Sequence, residues 1–153
     1  MVAVTLNLYD KWREHAHDGG AVNFETPGGN GLKVSIVTNT YTPNQNLHEF
    51  WDDGPEANEV SGTNYTLDGN ATTGTVTIDG AGLVTIDCSD PTAWAQSASG
   101  FSNGRRVIVW LDTGVSATST LIAYSDAFAA DKGNVDGEFS VTFAAAGLCT
   151  QAR

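Results

Sequence analysis

The chain has 153 residues, one domain's worth, and carries 18 acidic against 7 basic residues for a net charge of −11. Arg105-Arg106 is its sole basic pair and no apolar run nears the ~20 residues that cross a bilayer, so nucleic acid and membrane spanning are both excluded as expectations. Only 16% of residues are charged, and Gly (17), Thr and Asn stand in their place, which is the makeup of a turn-rich β protein.

Residues 3–8 alternate and read as a short strand, either an edge strand of the fold or an assembly arm that joins a neighbour's sheet over 1–8. Asp10 suits a helix N-cap and Gly19-Gly20 a stop, which predicts two helical turns with Tyr9, Trp12 and Ala16 on one face. A strand over 21–25 and a turn over 27–31 follow. Residues 32–38 then place Leu32, Val34 and Ile36 on one side and Lys33 and Ser35 on the other, a half-buried strand with a wet face. Thr42-Pro43 opens a second short helix with Leu47, Phe50 and Trp51 on one face, which Asp52-Asp53-Gly54-Pro55 ends.

From Glu59 onward the pattern is β. Residues 75–78 and 83–86 flank Asp79-Gly80-Ala81-Gly82, the strongest hairpin signal, with Asp-Gly expected to supply the positive φ angles. Asp90-Pro91 opens a long loop anchored by Trp94; residues 105–111, 121–125 and 139–143 are further strands. The expected fold is mainly β: one domain over 1–153, a small sandwich or barrel of about seven or eight strands with two short helices packed at one end.

Residue types with chemistry are present but do not converge. His15 and His17 share a face only on a strand, and on the predicted helix they diverge; His48 stands alone. Cys88 and Cys149 have no His beside them in sequence. The opening residues lack the basic and apolar regions of a secretory signal, so both cysteines are read as free thiols in a reducing compartment. Asp52, Asp53, Glu56 and Glu59 fall in a turn, where acids serve conformation. Asp68-Gly69-Asn70 and Asp131 with Asn134 and Asp136 are oxygen-rich loops that miss the EF-hand pattern. Asn64-Tyr65-Thr66 and Asn70-Ala71-Thr72 match the glycosylation triplet and mark surface turns. Trp12, Phe50, Trp51 and Trp110 read as core, leaving Trp94 as the one tryptophan for a carbohydrate platform. No catalytic, cofactor or metal residue is assigned, and the chain is read as no enzyme.

The stretch Asn46-Leu47-His48-Glu49-Phe50-Trp51-Asp52-Asp53, then Asn58-Glu59-Val60-Ser61-Gly62-Thr63-Asn64-Tyr65-Thr66, resembles a family of small virion-associated proteins of tailed bacteriophages. In that family a helix ending in Trp precedes Glu-Val-x-Gly-Thr-x-Tyr-Thr, a Gly-rich turn and a strand with Val-Thr-x-Asp-Gly, here Val76-Thr77-Ile78-Asp79-Gly80. Residues 87–94, 105–113, Leu121-Ile122-Ala123, Phe139-Ser140-Val141-Thr142-Phe143 and Ala146-Gly147-Leu148 extend the likeness over most of the chain. The resemblance implies a virion part made in the host cytoplasm: first a capsid decoration or cement protein that contacts the major capsid protein and copies of itself, in trimers in many such proteins. A tail, tail-tip or fibre component is the alternative, and a carbohydrate-binding module is a more distant one. Its motifs are structural and carry no active site over.

Overall fold

The computed structural model describes residues 1–17, 24, 31–144 and 148–151. The Gly19-Gly20 stop, the strand over 21–25 apart from Phe24, the turn over 27–31 apart from Gly31, and Ala146-Gly147 lie outside the described residues, as do the side chains of Ala16 and His17. Ten short strands are described: β1 (Val2–Val4), β2 (Leu6–Leu8), β3 (Gly31–Val37), β4 (Asn70–Thr72), β5 (Gly74–Ile78), β6 (Val84–Cys88), β7 (Arg106–Asp112), β8 (Thr120–Ser125), β9 (Val141–Phe143) and β10 (Cys149–Gln151). One helix, α1 (Lys11–His17), and two 3-10 turns, Glu56–Asn58 and Ser116–Thr118, complete the elements. The mainly β expectation holds. The strand number exceeds it because 3–8 divides into β1 and β2, and because β4 and β10 form where turns or ends were expected.

The strands make three open sheets, β2-β8-β7-β3-β4, β10-β6-β5 and β1-β9, none of which closes into a barrel among the described residues. Residues 1–8 pair within their own chain, β1 parallel to β9 and β2 antiparallel to β8, in the manner of edge strands.

β3 and β7 form the centre, in register from Gly31↔Asp112 to Val37↔Arg106. Opposed residues share a face, so Leu32, Val34 and Ile36 lie with Leu111, Val109 and Val107 on one side. The other side carries Lys33, Ser35 and Val37 with Trp110, Ile108 and Arg106. The expectation of a wet face is corrected here: Ser35 is fully buried, at 0% exposure. Trp51 covers that side, stacked on Trp110 with ring centroids 4.2 Å apart and planes 4° from parallel. Beneath the stack the Trp110 indole N–H donates to the Ser35 hydroxyl at 3.0 Å. A buried hydroxyl is tolerated because it has this partner.

Trp51 reaches that position without the second helix that periodicity and the family likeness both implied. The carboxylate of Asp53 accepts the backbone N–H groups of Glu49 and Phe50 at 2.7 and 2.8 Å. Those donors are thereby withdrawn from helical bonding, the usual way a short acidic side chain competes with a helix. The segment instead runs beside β8, with Trp51 N–H on the Ser119 carbonyl and Leu121 N–H on the Glu49 carbonyl, both at 2.8 Å. Leu47 consequently stands 71% exposed.

A second aromatic cluster packs the loop side: Tyr65, Trp94, Phe101 and Phe139 meet at centroid distances of 5.3 to 5.8 Å. Trp94 anchors its loop as expected, by exchanging backbone hydrogen bonds with Phe139 at 2.8 and 3.0 Å. The β5–β6 hairpin also forms, but its positive φ falls on Gly82 (φ 82°), not on the Asp-Gly pair. Asp79 instead gathers the turn, its carboxylate accepting from Ala81 N–H and Leu83 N–H at 2.9 and 2.8 Å. A turn closed by one left-handed glycine is the three-residue hairpin solution.

Candidate functional site

A polar concavity of about 110 Å³ lies where β7 ends, lined by Trp51, Asp68, Trp110, Asp112, Ser116 and Ser119. Two consecutive positive φ angles, 67° at Asp68 and 71° at Gly69, turn the chain tightly into its rim. Glycine is required at 69 because a Cβ there would lie 2.2 Å from the Val34 carbonyl oxygen. The polar groups around the pocket are largely engaged with the protein itself. Asp112 accepts from Gly114 N–H at 2.8 Å, the Ser119 hydroxyl donates to the Val115 carbonyl at 2.9 Å, and the Ser116 hydroxyl donates to Glu56 at 2.8 Å. No nucleophile with a base beside it stands here.

Behind the rim lies a polar network around Glu59 and Tyr65. The Tyr65 hydroxyl donates to one Glu59 oxygen at 2.7 Å, and the Asp68 N–H donates to the other at 3.1 Å. The Tyr65 oxygen in turn accepts the Ile36 N–H at 2.9 Å. Burial pushes the Glu59 carboxyl above its ordinary value, against the hydrogen bonds that favour its charge. Burial and the nearby Glu59 charge push the Tyr65 phenol well up. Sequence reasoning placed Glu59 in a solvated turn. The missed signal is the run of turn formers between Glu59 and Tyr65, which lets the chain fold back and bring the two together.

The remaining candidates are separated in space. His15 Nε2 faces a Glu49 carboxylate oxygen over a concavity that Lys11 and Glu14 complete, its ring 5.6 Å from Phe50. His48 accepts Asn44 N–H on Nδ1 at 3.2 Å, so the Tyr41 hydroxyl, 2.8 Å from the same nitrogen, is the donor to it. The Tyr41 oxygen in turn accepts a hydrogen bond from the Tyr9 hydroxyl at 2.8 Å. Burial pushes the Tyr41 phenol up to about 12, and Tyr9 further. These are strut-like hydrogen bonds between the α1 entry and the 41–48 segment.

Cys88 and Cys149 are both free; Cys88 is buried and Cys149 half-buried. Burial first, then the charges of Asp87 and Asp90, push the Cys88 thiol up to about 12, opposite to what a nucleophilic cysteine requires. Of the oxygen-rich loops, Asn134 is fully buried and structural: its side chain accepts Phe101 N–H at 2.9 Å and donates to the Ala95 carbonyl at 2.8 Å. Asp131 faces Arg105 at 3.4 Å. Asp52 is exposed and Asp53 serves the 49–50 turn. Asn64 and Asn70 each donate to loop carbonyls, Asn70 to Thr92 at 2.6 Å. Among the described residues, no group of three or more His, Cys, Asp or Glu is placed to hold a metal ion.

The four tryptophans are all buried, Trp94 at 1% exposure. Trp94, the one tryptophan the sequence left for a carbohydrate platform, is enclosed by Phe139 and Tyr65. No protein-family model, curated protein or solved structure matches the chain.

Proposed function

We propose that the chain is a non-enzymatic structural protein of a tailed-bacteriophage particle, a decoration or cement protein on the outer surface of the head. It would be made in the host cytoplasm and bind the major capsid protein and copies of itself, holding capsid subunits against dissociation.

The observation that carries this reading is where the residues behind the family likeness lie. Trp51, Glu59, Tyr65, Asp68-Gly69, Trp94 and Phe139 belong to the buried stack, the polar network and the loop-side cluster. They build a rigid body and converge on no reacting atom. Function is then left to the outer surface, which is rich in acids and small polar groups. A charge of −11 keeps the free chain soluble and apart from nucleic acid before assembly.

The test is location and copy number. Quantitative mass spectrometry of purified particles should count hundreds of copies, cryo-electron microscopy should show density on the head, and particles lacking the protein should release their genome at lower temperature. A count of a few to tens with density at the tail tip or fibres would replace this reading by a tail component. Absence from particles would end both.

A further inference from the structure

Residues 41–48 form neither helix nor strand, so their placement rests on individual hydrogen bonds. Two of these converge on one atom. His48 Nδ1 receives the Asn44 backbone N–H at 3.2 Å and stands 2.8 Å from the Tyr41 hydroxyl. A backbone N–H can only donate, so Nδ1 carries no proton and the ring is the neutral tautomer with its hydrogen on Nε2. The Tyr41 hydroxyl then donates to the same nitrogen, and the Tyr41 oxygen accepts from Tyr9. Every donor in the chain is turned toward Nδ1.

A second proton on the ring reverses that direction. An imidazolium has N–H on both nitrogens and accepts nothing. The Asn44 N–H then faces another donor. Tyr41 can turn to accept the new N–H, but it must then donate to Tyr9. The Tyr9 hydroxyl, at 0% exposure, is left with no acceptor among the described residues. A stranded buried donor is costly, and the half-buried His48 ring relieves it by leaving for water. The phenols take no part in the titration. Burial pushes Tyr41 up to about 12 and Tyr9 further, so both keep their protons near neutrality. Histidine is the side chain whose charge ordinarily changes there.

The groups packed around the chain do not replace the lost bonds. From β7, Arg106 Nε donates to the Tyr41 carbonyl at 3.4 Å, which sets a cation at that end. From β8, Tyr124 packs on Tyr9 with ring centroids 4.8 Å apart. At the entry to α1, Asp10 N–H donates to the Gln45 carbonyl at 2.9 Å, and its carboxylate accepts from the Gln45 side chain at 3.4 Å. The Asp53 carboxylate is taken by the Glu49 and Phe50 N–H groups, and Glu49 faces His15. No carboxylate pairs with the His48 ring among the described residues, so nothing holds an imidazolium in place.

We propose that His48 is a pH-operated latch: neutral, it locks residues 41–48 onto Tyr9 and the entry to α1, and on taking up a proton it releases the 44–48 turn. Release draws the Gln45 carbonyl off the Asp10 N–H and opens the Tyr9–Tyr41 pair to water. Residues 49–51 stay behind, because Trp51 N–H on Ser119 and Leu121 N–H on Glu49 bind them to β8. His15 acts in the opposite sense, since a proton there sets a cation against the Glu49 carboxylate and tightens that contact. The hinge therefore falls between residues 48 and 49. The latch is a property of the isolated chain and does not depend on the virion reading.

Nuclear magnetic resonance of the full chain tests it. Two-bond proton–nitrogen correlation should show the His48 ring as the Nε2–H tautomer at about pH 7.5. Lowering the pH to about 5 should protonate the ring and cut the exchange protection of the 44–48 amides by about tenfold, after correction for intrinsic exchange rates. The Trp51 and Leu121 amides should hold. H48Q supplies an acceptor that does not titrate and should lose the response; H48F supplies none and should leave the turn open at both pH values; H15Q should respond like the wild type. An Nδ1–H tautomer near neutrality, a protonated His48 with an unchanged turn, loss of protection at Trp51 and Leu121 together with the turn, or an H48Q turn that opens over the same range would each overturn the proposal.

Discussion

The Tyr65 hydroxyl lies 2.7 Å from a Glu59 oxygen and 2.9 Å from the Ile36 backbone nitrogen, so one side chain ties a turn acid to the central strand. Removing the hydroxyl strands two partners at once. Tyr65→Phe leaves the Ile36 N–H without an acceptor in the buried centre and takes a donor from a carboxylate. An unsatisfied buried group costs about 1–3 kcal/mol, and that is the loss of unfolding free energy expected in a urea titration. A double-mutant cycle with Glu59→Gln should be non-additive, because the two residues share the bond.

The same carboxyl sets a pH dependence. Burial holds its folded-state pKa above the ordinary 4.5 that it regains on unfolding. Between the two values the folded form binds more protons than the unfolded form, so stability falls as pH rises through that window. The contribution is full below the unfolded value and lost above the folded one. The stability of wild type relative to Glu59→Gln should therefore decline from about pH 4.5 upward and then level off. A flat or rising difference across that range would contradict the buried setting of Glu59.

The Trp51–Trp110 stack predicts a different loss. Trp51→Ala opens the covered face of the central sheet, exposes Ser35 and removes one of the largest fully buried side chains. Truncations of this kind cost about 3–5 kcal/mol, and near-ultraviolet circular dichroism should lose the signal of the coupled indoles. Trp51→Phe should recover part of both, since a smaller ring still stacks.

Much of this fold was legible in residue order because it rests on local rules. The alternation of Leu32, Val34 and Ile36, the apolar run of β7 and the hairpin around Asp79 all appear where periodicity put them. What was not legible depends on contacts distant in sequence. Ser35 alternates like a surface residue, yet it is buried because Trp51 and Trp110 meet over it. Leu47, Phe50 and Trp51 have helical spacing, yet the carboxylate of Asp53 takes the N–H groups a helix would use. Trp94 sits among small residues, yet Phe139, 45 positions later, encloses it. The polar network escaped for the same reason: Glu59 gains its meaning from Tyr65 and Ile36.

The two thiols should behave as packing groups. Burial and neighbouring carboxylates push Cys88 up to about 12, and burial also raises Cys149, so little thiolate exists near neutrality. Reaction of the native chain with a disulfide reagent at pH 8 should be slow at both, and slower at buried Cys88 than at half-buried Cys149. Denaturant should release two fast-reacting thiols. Rapid native labelling of Cys88 would show that the β6 end opens far more readily than its packing implies.

The hairpin turn separates two glycines that look equivalent in sequence. Gly82 holds φ at 82°, and a side chain there is strained wherever it points. Gly80 has an ordinary φ, and a Cβ built on it meets nothing within 4 Å. Gly82→Ala should therefore cost about 1–2 kcal/mol, the penalty of a left-handed L residue. Gly80→Ala should be neutral or stabilise by about 0.4–1 kcal/mol, by reducing the freedom of the unfolded chain. Thermal unfolding of the two variants side by side reads the difference. If Asp-Gly supplied the left-handed residue, as the dipeptide alone suggests, the order would reverse.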